Sequence, residues 1–342
     1  MTWKFLLIAG LALLVRIWVV FAEPLPLSGD EIAHGNYIGY IYDHLSLPDS
    51  AAANELVPPG RDRLGHLSYE FYQPPGYYVI TALLGGGVPV VSRLVSVLMF
   101  MVGFFFVWAA TRAPGGDGDL LVLCALAFIP GLMVTTSTIN NDVFLIMGSG
   151  ISFYGCLKKK NWAFLLGIVV LATAKFHGFP ILLALGIYYM RKHNRRWGIT
   201  ALAFAVVAAA IIYWRWDLQV ENQGIQFLPP TILNVAKIVH ETLVTGFMYP
   251  LYDRISPDMM GLGVIGGLIL VYFAVRRYAH VPEMQKWVVL AVCLVWLGWS
   301  VFKQFPTGRY LYAAIPWLAL KPGPRTNSGK TDLDRHKPPR GQ

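Results

Sequence analysis

Charged residues are scarce in this chain of 342 residues: Asp, Glu, Lys and Arg make up 14% of it, against 56% hydrophobic residues. Water-soluble domains carry about 25% charged residues. So few charges cannot cover a surface that faces water, which excludes an ordinary soluble protein. The apolar residues come in blocks of about 12 to 20, the length that a bilayer crossing requires. The composition therefore predicts an integral membrane protein.

Cysteine is also rare. The chain has three, Cys124, Cys156 and Cys293, and all of them fall inside apolar blocks. Their spacing is unlike that of a metal site or a disulfide framework. Cysteine chemistry is therefore not expected to carry the function.

The net charge of +9 does not indicate a nucleic-acid partner, because of where the positive charge lies. Lys and Arg form short clusters between apolar blocks, at 158–160, 191–196 and 276–277. Clusters of this kind orient membrane spans, with the basic side in the cytoplasm. We expect the lipid bilayer, and no nucleic acid, as a partner.

The apolar blocks predict an all-α polytopic membrane protein with about ten transmembrane helices. They cover 3–22, 91–111, 119–136, 142–157, 161–174, 179–190, 197–214, 259–276, 286–302 and 309–320. The last block is short, since about 12 helical residues cover only ~18 Å of a ~30 Å hydrocarbon core. We expect one transmembrane domain over 1–320 and a disordered cytoplasmic tail at 321–342.

The block at 74–90 decides the topology. If it is a juxtamembrane helix at the outer surface, all the strong basic clusters fall on the cytoplasmic side, as the positive-inside rule requires. We therefore predict a multi-pass protein of the plasma (inner) membrane with both termini in the cytoplasm. Its large outer loops are then 23–90, with juxtamembrane helices, and 215–258.

Asp30, Glu31 and His34 form the most informative group of polar residues, just after the first span. If a helix begins near Asp30, that side chain and His34 share a face. They can bind a divalent metal through oxygen and imidazole, or a carboxylate can serve as general base. The alternative is a helix start, where acids interact favourably with the helix dipole.

Two further polar segments lie on the predicted outer side. Tyr69, Tyr72, Gln73 and Tyr77 surround a Pro-Pro pair, and Asp142 opens a span after two asparagines. Tyrosines also populate the membrane interface of any membrane protein, and an Asn or Asp before a span is also a helix cap. Both segments are therefore open to a purely structural interpretation.

Isolated cations near the outer side need a reason, because basic residues are disfavoured there. They are Arg16, Arg93, Lys175 with His177, Lys303 and Arg309. Lys175 lies in a turn between two short blocks, so it should sit below the membrane surface, where a cation suits a lipid-linked phosphate. For the arginines the alternative is snorkelling to the headgroups.

The order of these motifs resembles that of the GT-C membrane glycosyltransferases, particularly the protein O-mannosyltransferase and aminoarabinose-transferase-like branch. The resemblance covers about residues 10–180. It rests on the Asp-Glu pair, the Tyr-Gln-Pro-Pro-Gly-Tyr-Tyr run, the following Ser-Arg-Leu and the later Asn-Asp. The run at 307–312 is similar to a motif near the end of related bacterial membrane families.

The resemblance implies a GT-C-like bundle that takes a sugar from a polyprenyl phosphate and delivers it to an envelope acceptor (lipid, protein or glycan). Asp30 matches the catalytic acid and Glu31 its neighbour, while Asp142 matches an acid that helps hold a divalent metal in some members. Arg93, Lys175 and, more loosely, Arg309 match positions near the donor phosphate.

The sequence thus predicts a glycosyltransferase that works by inverting displacement, with Asp30 as base and possible help from a divalent metal at Asp30 and Asp142. We expect His177 beside the donor phosphate. Acceptor or sugar contacts are expected from His34, Tyr69, Tyr72, Gln73 and Tyr77. The alternatives are a transporter or flippase, and a non-catalytic scaffold of polysaccharide assembly.

Overall fold

The computed structural model describes residues 2–23, 29–49, 52, 70–112, 116–192, 194–215, 239–240, 242–244, 247, 257–303 and 308–320. Within these ranges the chain is helical, with no β-strand. The predicted tail at 321–342 and nearly all of the predicted outer loop 215–258 lie outside them. Side-chain positions are described for most of these residues, with Arg309 among the exceptions.

Twelve α-helices and one 3-10 helix make up the described fold. They are α1 (Trp3–Ala22), α2 (Gly29–His44), α3 (Gly76–Gly85), α4 (Pro89–Thr111), α5 (Leu120–Phe128), α6 (Pro130–Thr135), α7 (Asp142–Lys158), α8 (Asn161–Ala174), α9 (Gly178–Arg191), α10 (Arg195–Trp214), α11 (Pro257–His280), α12 (Glu283–Lys303) and the 3-10 segment (Gly308–Leu318).

Three helices, α1, α4 and α10, are long and apolar enough to cross a membrane. Large apolar side chains cover the exposed surface of α1 and α10, for example Leu14, Trp18 and Val206, each about two-thirds exposed. Contiguous apolar surface of this kind is unfavourable in water and favourable in lipid. The described fold is therefore compatible with a membrane.

The core lies where α4, α7 and α8 pack side by side. A Cβ atom added at Gly150 would stand 2.5 Å from the carbonyl oxygen of Gly103, so only glycine lets α7 approach α4 this closely. Small residues at helix crossings allow the close backbone contact on which helix association in lipid depends. Aromatic side chains extend this core: Phe104 stacks with Phe5 of α1, and Phe153 contacts Trp317 of the 3-10 segment edge to face.

The predicted span 119–136 is divided by Pro130 into α5 and α6. Proline has no N–H, so the carbonyl four residues earlier, Leu126, loses its helical donor. Arg16 of α1 replaces it: its guanidinium donates to the carbonyls of Leu126 and Ala127 at 3.0 Å and to the Thr136 hydroxyl at 2.8 Å. Arg16 thus donates to the carbonyls at the helix break, and its side chain does not extend to the lipid headgroups.

The directions of the helices separate two ends of the bundle. Basic residues such as Lys158, Arg191 and Arg277 lie at one end, which we call the basic end, where Arg277 pairs with Asp119 at 2.7 Å. Leu320, two residues after the 3-10 helix, also donates its N–H to Asp119 there, at 2.7 Å. The opposite end, the site end, carries the start of α4 and α7.

Two segments of the described fold are short compared with the thickness of a bilayer. Helix α3 has 10 residues and spans ~15 Å, half of a hydrocarbon core. The 11-residue segment at Gly308–Leu318 is a 3-10 helix, which rises ~2.0 Å per residue and so reaches ~22 Å. Neither covers the thickness of a bilayer by itself.

Candidate functional site

Buried charged side chains gather at the site end, where α1 ends, α4 and α7 begin, and α8 turns into α9. We call them the charged cluster: Asp30, Glu31, His34, Glu70, Arg93, Asp142 and Lys175. All but Asp30 are less than 5% exposed. Buried charge is costly unless it is paired or used, so this end of the bundle is the candidate site.

Glu31 and Arg93 form the best-ordered pair of the cluster. Arg93 donates from Nε and Nη2 to the two carboxylate oxygens of Glu31, both at 2.7 Å. Its Nη1 donates to the carbonyls of Val20 and Glu23 at 3.2 and 3.0 Å, at the end of α1 where helical carbonyls lack their usual donors. Glu31 also accepts from the N–H of Ile139 at 3.0 Å. This pair joins four segments of chain.

Lys175 and Asp142 form the second pair, with Nζ 2.9 Å from Oδ1. Both side chains are buried, at 2% and 4% exposure. Lys175 follows the last residue of α8, and Gly178 begins α9 so close to the carbonyl of Leu171 that a side chain there would collide with it. The tight turn therefore directs Lys175 inward, onto the first turn of α7.

Asp30, His34 and Glu70 form the third part of the cluster. The predicted i, i+4 arrangement on α2 places His34 Nε2 4.0 Å from Asp30 Oδ2, and His34 Nδ1 lies 3.9 Å from Glu70 Oε2. Asn140 links this group to the second pair, because its Nδ2 donates to Asp30 at 3.4 Å and its Oδ1 accepts from the N–H of Asp142 at 2.9 Å.

The two tyrosines that open α3 connect the parts of the cluster. The Tyr78 hydroxyl lies 2.9 Å from His34 Nδ1, accepts from Asn141 Nδ2 at 3.1 Å, and reaches Glu70 Oε2 at 3.5 Å. The Tyr77 hydroxyl lies 2.8 Å from Ser96 Oγ and accepts from the N–H of Asn140. Burial raises the pKa of both phenols above the usual value, so both keep their protons.

Gly76 explains how the Pro-Pro-Gly-Tyr-Tyr run reaches the cluster. A Cβ atom at this position would stand 2.6 Å from the carbonyl oxygen of Thr173, near the end of α8. The missing side chain lets the start of α3 touch α8 directly. The next two residues, Tyr77 and Tyr78, then enter the cluster one turn from Lys175.

Asp30, His34 and Glu70 fit the requirements of a divalent metal. One ligand atom of each lies within 4.8 Å of those of the other two, so a modest contraction brings them to the ~3–4 Å separations that ligands at ~2.0–2.2 Å from an ion require. The Tyr78 hydroxyl on His34 Nδ1 is the kind of outer contact that orients a metal-binding imidazole. Asp142, predicted as a ligand, instead contacts Lys175.

A cavity of about 630 Å³ adjoins the cluster, between α2 and the start of α4. Its wall contains Glu31, Asn36, Asp43 and Ser92 together with the backbone around Gly87. The opposite face of the same helix carries Asp30 and His34. Helix α2 therefore separates the cavity from the Asp30–His34–Glu70 group.

The structure brings together most of the residues that the sequence singled out: Asp30, Glu31, His34, Tyr77, Arg93, Asp142 and Lys175. Gln73 and Tyr72 lie at the edge, hydrogen-bonded to each other at 2.8 Å. His177 precedes α9 with its ring 3.7 Å from that of Phe176. Tyr69 and the side chain of Arg309 lie outside the described part of the chain.

Sequence reasoning assigned no role to four contributors: Glu70, Tyr78, Asn140 and Arg215. Glu70 and Tyr78 stand beside residues that were selected, but nothing in a single sequence distinguishes Tyr78 from Tyr77. Arg215, at the end of α10, donates to the carbonyls of Phe71 and Pro48 at 2.6 and 3.2 Å. In the sequence Arg215 is a lone cation directly after an apolar block, and this feature could have selected it as it selected Lys175.

Comparisons with known proteins do not assign the chain to a family. No protein family, curated protein or solved structure matches the chain. The function is therefore argued from the site.

Proposed function

We propose that this protein is a membrane glycosyltransferase that moves a sugar from a polyprenyl-phosphate donor to an envelope acceptor. The observation that carries the proposal is the charged cluster itself, in which carboxylates, an imidazole and two cations meet beside a cavity. Such groups match the needs of the reaction: a base for the acceptor, and positive charge for a leaving phosphate.

Asp30 is the best candidate for the base. Its side chain is 14% exposed, whereas those of Glu31, Asp142 and Glu70 are 3%, 4% and 6% exposed. Glu31 and Asp142 also have cations within 3 Å, which hold their charge in place. Asp30 is thus the carboxylate that an acceptor reaches most easily.

The reaction we propose is a single displacement. The acceptor oxygen or nitrogen attacks the anomeric carbon while its proton passes to the Asp30 carboxylate. The bond between the anomeric carbon and the phosphate oxygen breaks, and its electron pair stays on the phosphate. One displacement inverts the anomeric configuration, so a product with retained configuration would rule the mechanism out.

The charge of the cluster limits how the phosphate is held. Asp30, Glu31, Glu70 and Asp142 outnumber Arg93 and Lys175, and this negative excess would repel a phosphate. A divalent ion at Asp30, His34 and Glu70 would balance the excess and supply a positive charge for the leaving phosphate. The N–H groups of Arg93 are used by Glu31 and by carbonyls at the end of α1. We therefore propose that Arg93 positions Glu31, and that Lys175 is the cation nearer to the phosphate of the sugar donor.

The proposal also assigns a membrane arrangement. We propose that the helices form a multi-pass GT-C-like bundle of about ten spans, with the site end on the outer face of the plasma membrane and both termini in the cytoplasm. The support is the separation of charge: the clusters of Lys and Arg at 158–160, 191–196 and 276–277 lie at the end opposite to the charged cluster. The positive-inside rule then directs the basic end to the cytoplasm.

A non-catalytic scaffold is the second candidate, and the ion pairs favour it. Glu31 with Arg93 and Asp142 with Lys175 neutralise each other within the fold, as purely structural pairs do. A transporter or flippase is less favoured, because such proteins usually carry their polar sites near mid-membrane between broken helices. The cluster lies instead at one end of the bundle.

An Asp30→Asn substitution tests the proposal. We expect the purified variant in nanodiscs to lose at least a hundredfold in transfer from polyprenyl-phosphate sugars, and mass spectrometry of envelope glycans to show loss of the product. The matched control is Asp117→Asn at the basic end, where Asp117 pairs with Lys4 at 3.2 Å and contacts Thr2 near the protein surface. Unchanged transfer in Asp30→Asn would remove Asp30 from the mechanism, and absence of any transfer would favour the scaffold.

Binding of Mn²⁺ tests the metal assignment independently of turnover. We expect one tight site per protein by isothermal titration, weakened more than tenfold by His34→Ala or by Glu70→Gln. Asp142→Asn should keep the site, because Asp142 contacts Lys175 instead of this group. Loss of binding in Asp142→Asn with normal binding in Glu70→Gln would restore the pair predicted from the sequence.

A further inference from the structure

The cavity beside α2 has the size of a small-molecule site. Its volume of about 630 Å³ falls within the ~300–1,000 Å³ that such sites occupy. It is far larger than a packing defect, which in well-packed protein rarely exceeds the size of a water molecule. The wall is mostly polar at its two ends, with Glu31 at one end of α2 and Asp43 at the other.

Two glycines create this space. Gly35 and Gly39 lie one turn apart on α2, and both line the cavity. A Cβ atom at Gly39 would meet nothing within 4 Å, and one at Gly35 would meet only the tip of Ile139 at 4.0 Å. Neither glycine is required by helix packing, so their effect is to leave a groove along this face of α2.

The chemistry of the wall selects against anions. Among the described residues that line the cavity none is Lys or Arg, whereas Glu31 and Asp43 are carboxylates. Among these described residues a phosphate or carboxylate ligand would meet two carboxylates, and His44 is the one side chain that could offer it a positive charge. Hydroxyl and amine groups would find acceptors there, together with Asn36 and Ser92.

The wall also contains an aromatic stack. The rings of Tyr40 and His44 stack with centroids 4.2 Å apart and planes at 15°, and both residues line the cavity. Carboxylates towards both ends of the wall, with an aromatic stack beside Asp43, match a ring compound that has hydroxyl groups on its edge and C–H groups on its face. A saccharide has this form.

We propose that this cavity binds the acceptor, and that the acceptor places an uncharged or amine-bearing saccharide there, without phosphate or carboxylate. This inference rests on the proposed glycosyl transfer. Glu31 in the cavity wall is the neighbour of Asp30 in the chain, so a saccharide at that end of the groove lies beside the turn of α2 that carries the base. The cavity would then hold the part of the acceptor that is remote from the reaction, and the reacting group would pass the first turn of α2 to reach Asp30 and the donor.

Saccharide binding to the full chain in nanodiscs tests the inference without turnover. The probes are glucose and its disaccharide maltose (neutral), glucosamine (cationic) and glucose 6-phosphate (anionic), and the measurement is native mass spectrometry with titration. We expect saturable binding of neutral and amine-bearing probes, and at least tenfold weaker binding of the phosphate. Asp43→Asn should reduce the preference for glucosamine over glucose about two- to fivefold.

Gly39→Leu fills the groove and should abolish probe binding. Its control is Gly10→Leu on α1, because Gly10 likewise has nothing within 4 Å of an added Cβ; both variants should unfold at the wild-type temperature. No saturable binding of any probe, equal binding of glucose 6-phosphate, or full binding in Gly39→Leu would overturn the inference. Asp30→Asn should still bind the probes, so loss of turnover and loss of the acceptor site are distinguishable.

Discussion

The pair of Glu31 and Arg93 supports the sharpest prediction about stability. Both side chains are almost fully buried, at 3% and 0% exposure. Replacing Arg93 by Met removes the guanidinium from the buried Glu31 carboxylate, and it removes a donor from the carbonyls of Val20 and Glu23. Breaking a buried pair from one side costs ~3–5 kcal/mol, so Arg93→Met should lower the free energy of unfolding by about that amount.

Glu31→Gln should lower the free energy of unfolding by a similar amount, because it leaves the Arg93 guanidinium buried without the carboxylate. The double variant carries neither buried charge, and replacing a whole pair is often nearly neutral, so its cost should fall short of the sum by at least ~2 kcal/mol. Unfolding by SDS titration in mixed micelles gives the four free energies of the cycle. The control cycle uses the exposed pair Lys192 and Glu283, 2.9 Å apart, for which we expect no resolvable coupling. Additive costs for Glu31 and Arg93 would refute the reasoning.

Three further substitutions test the fold around the site. Arg16→Met should lower the free energy of unfolding by ~1–3 kcal/mol, since two carbonyls lose their donor, and adding Pro130→Ala should recover part of the loss; no recovery would contradict the role given to Arg16. Tyr78→Phe should cost ~1–3 kcal/mol and weaken Mn²⁺ binding about tenfold or more, whereas Tyr213→Phe at an exposed position should change neither. Gly76→Ala should lower the free energy of unfolding by ~1–3 kcal/mol through overpacking against Thr173, and a free energy equal to that of Gly10→Ala would contradict the close contact.

Much of the helical layout was predictable from the sequence. Runs of apolar residues end at charges, Pro or Gly, and those residues stop helices for local reasons, so the predicted block 161–174 and helix α8 share both ends. Pro130 divides α5 from α6 for an equally local reason, yet the sequence analysis predicted one continuous span over 119–136. Hydropathy measures the apolar character of a segment and is insensitive to one missing N–H.

The partners within the site were not predictable in the same way. Glu31 and Arg93 are 62 positions apart, and Asp142 and Lys175 are 33 apart. Each was selected as an isolated ionisable residue in an apolar context, which is a local property. Which carboxylate meets which cation depends on how the helices pack, so Arg93 was assigned to a phosphate although its donors reach Glu31 and α1.

Residues inside the Tyr-rich segment show the same limit. Glu70, Tyr72, Tyr77 and Tyr78 all lie in one polar stretch, and the sequence selected some of them on residue type alone. The structure distinguishes them by direction: Tyr78 faces His34, whereas Tyr77 faces Ser96. Gly76 sets that direction through its contact with α8, and contacts of this kind lie beyond local sequence patterns.

The proposed enzyme depends on which face of the membrane carries the charged cluster, and cysteine labelling measures this directly. In a background with Cys124, Cys156 and Cys293 replaced by Ala, Leu45→Cys tests the end of α2 and Lys160→Cys tests the basic end; both positions are exposed. The account predicts that a membrane-impermeant maleimide labels residue 45 in intact cells and residue 160 only after permeabilisation. Labelling of residue 160 alone in intact cells would place the cluster in the cytoplasm and contradict the account.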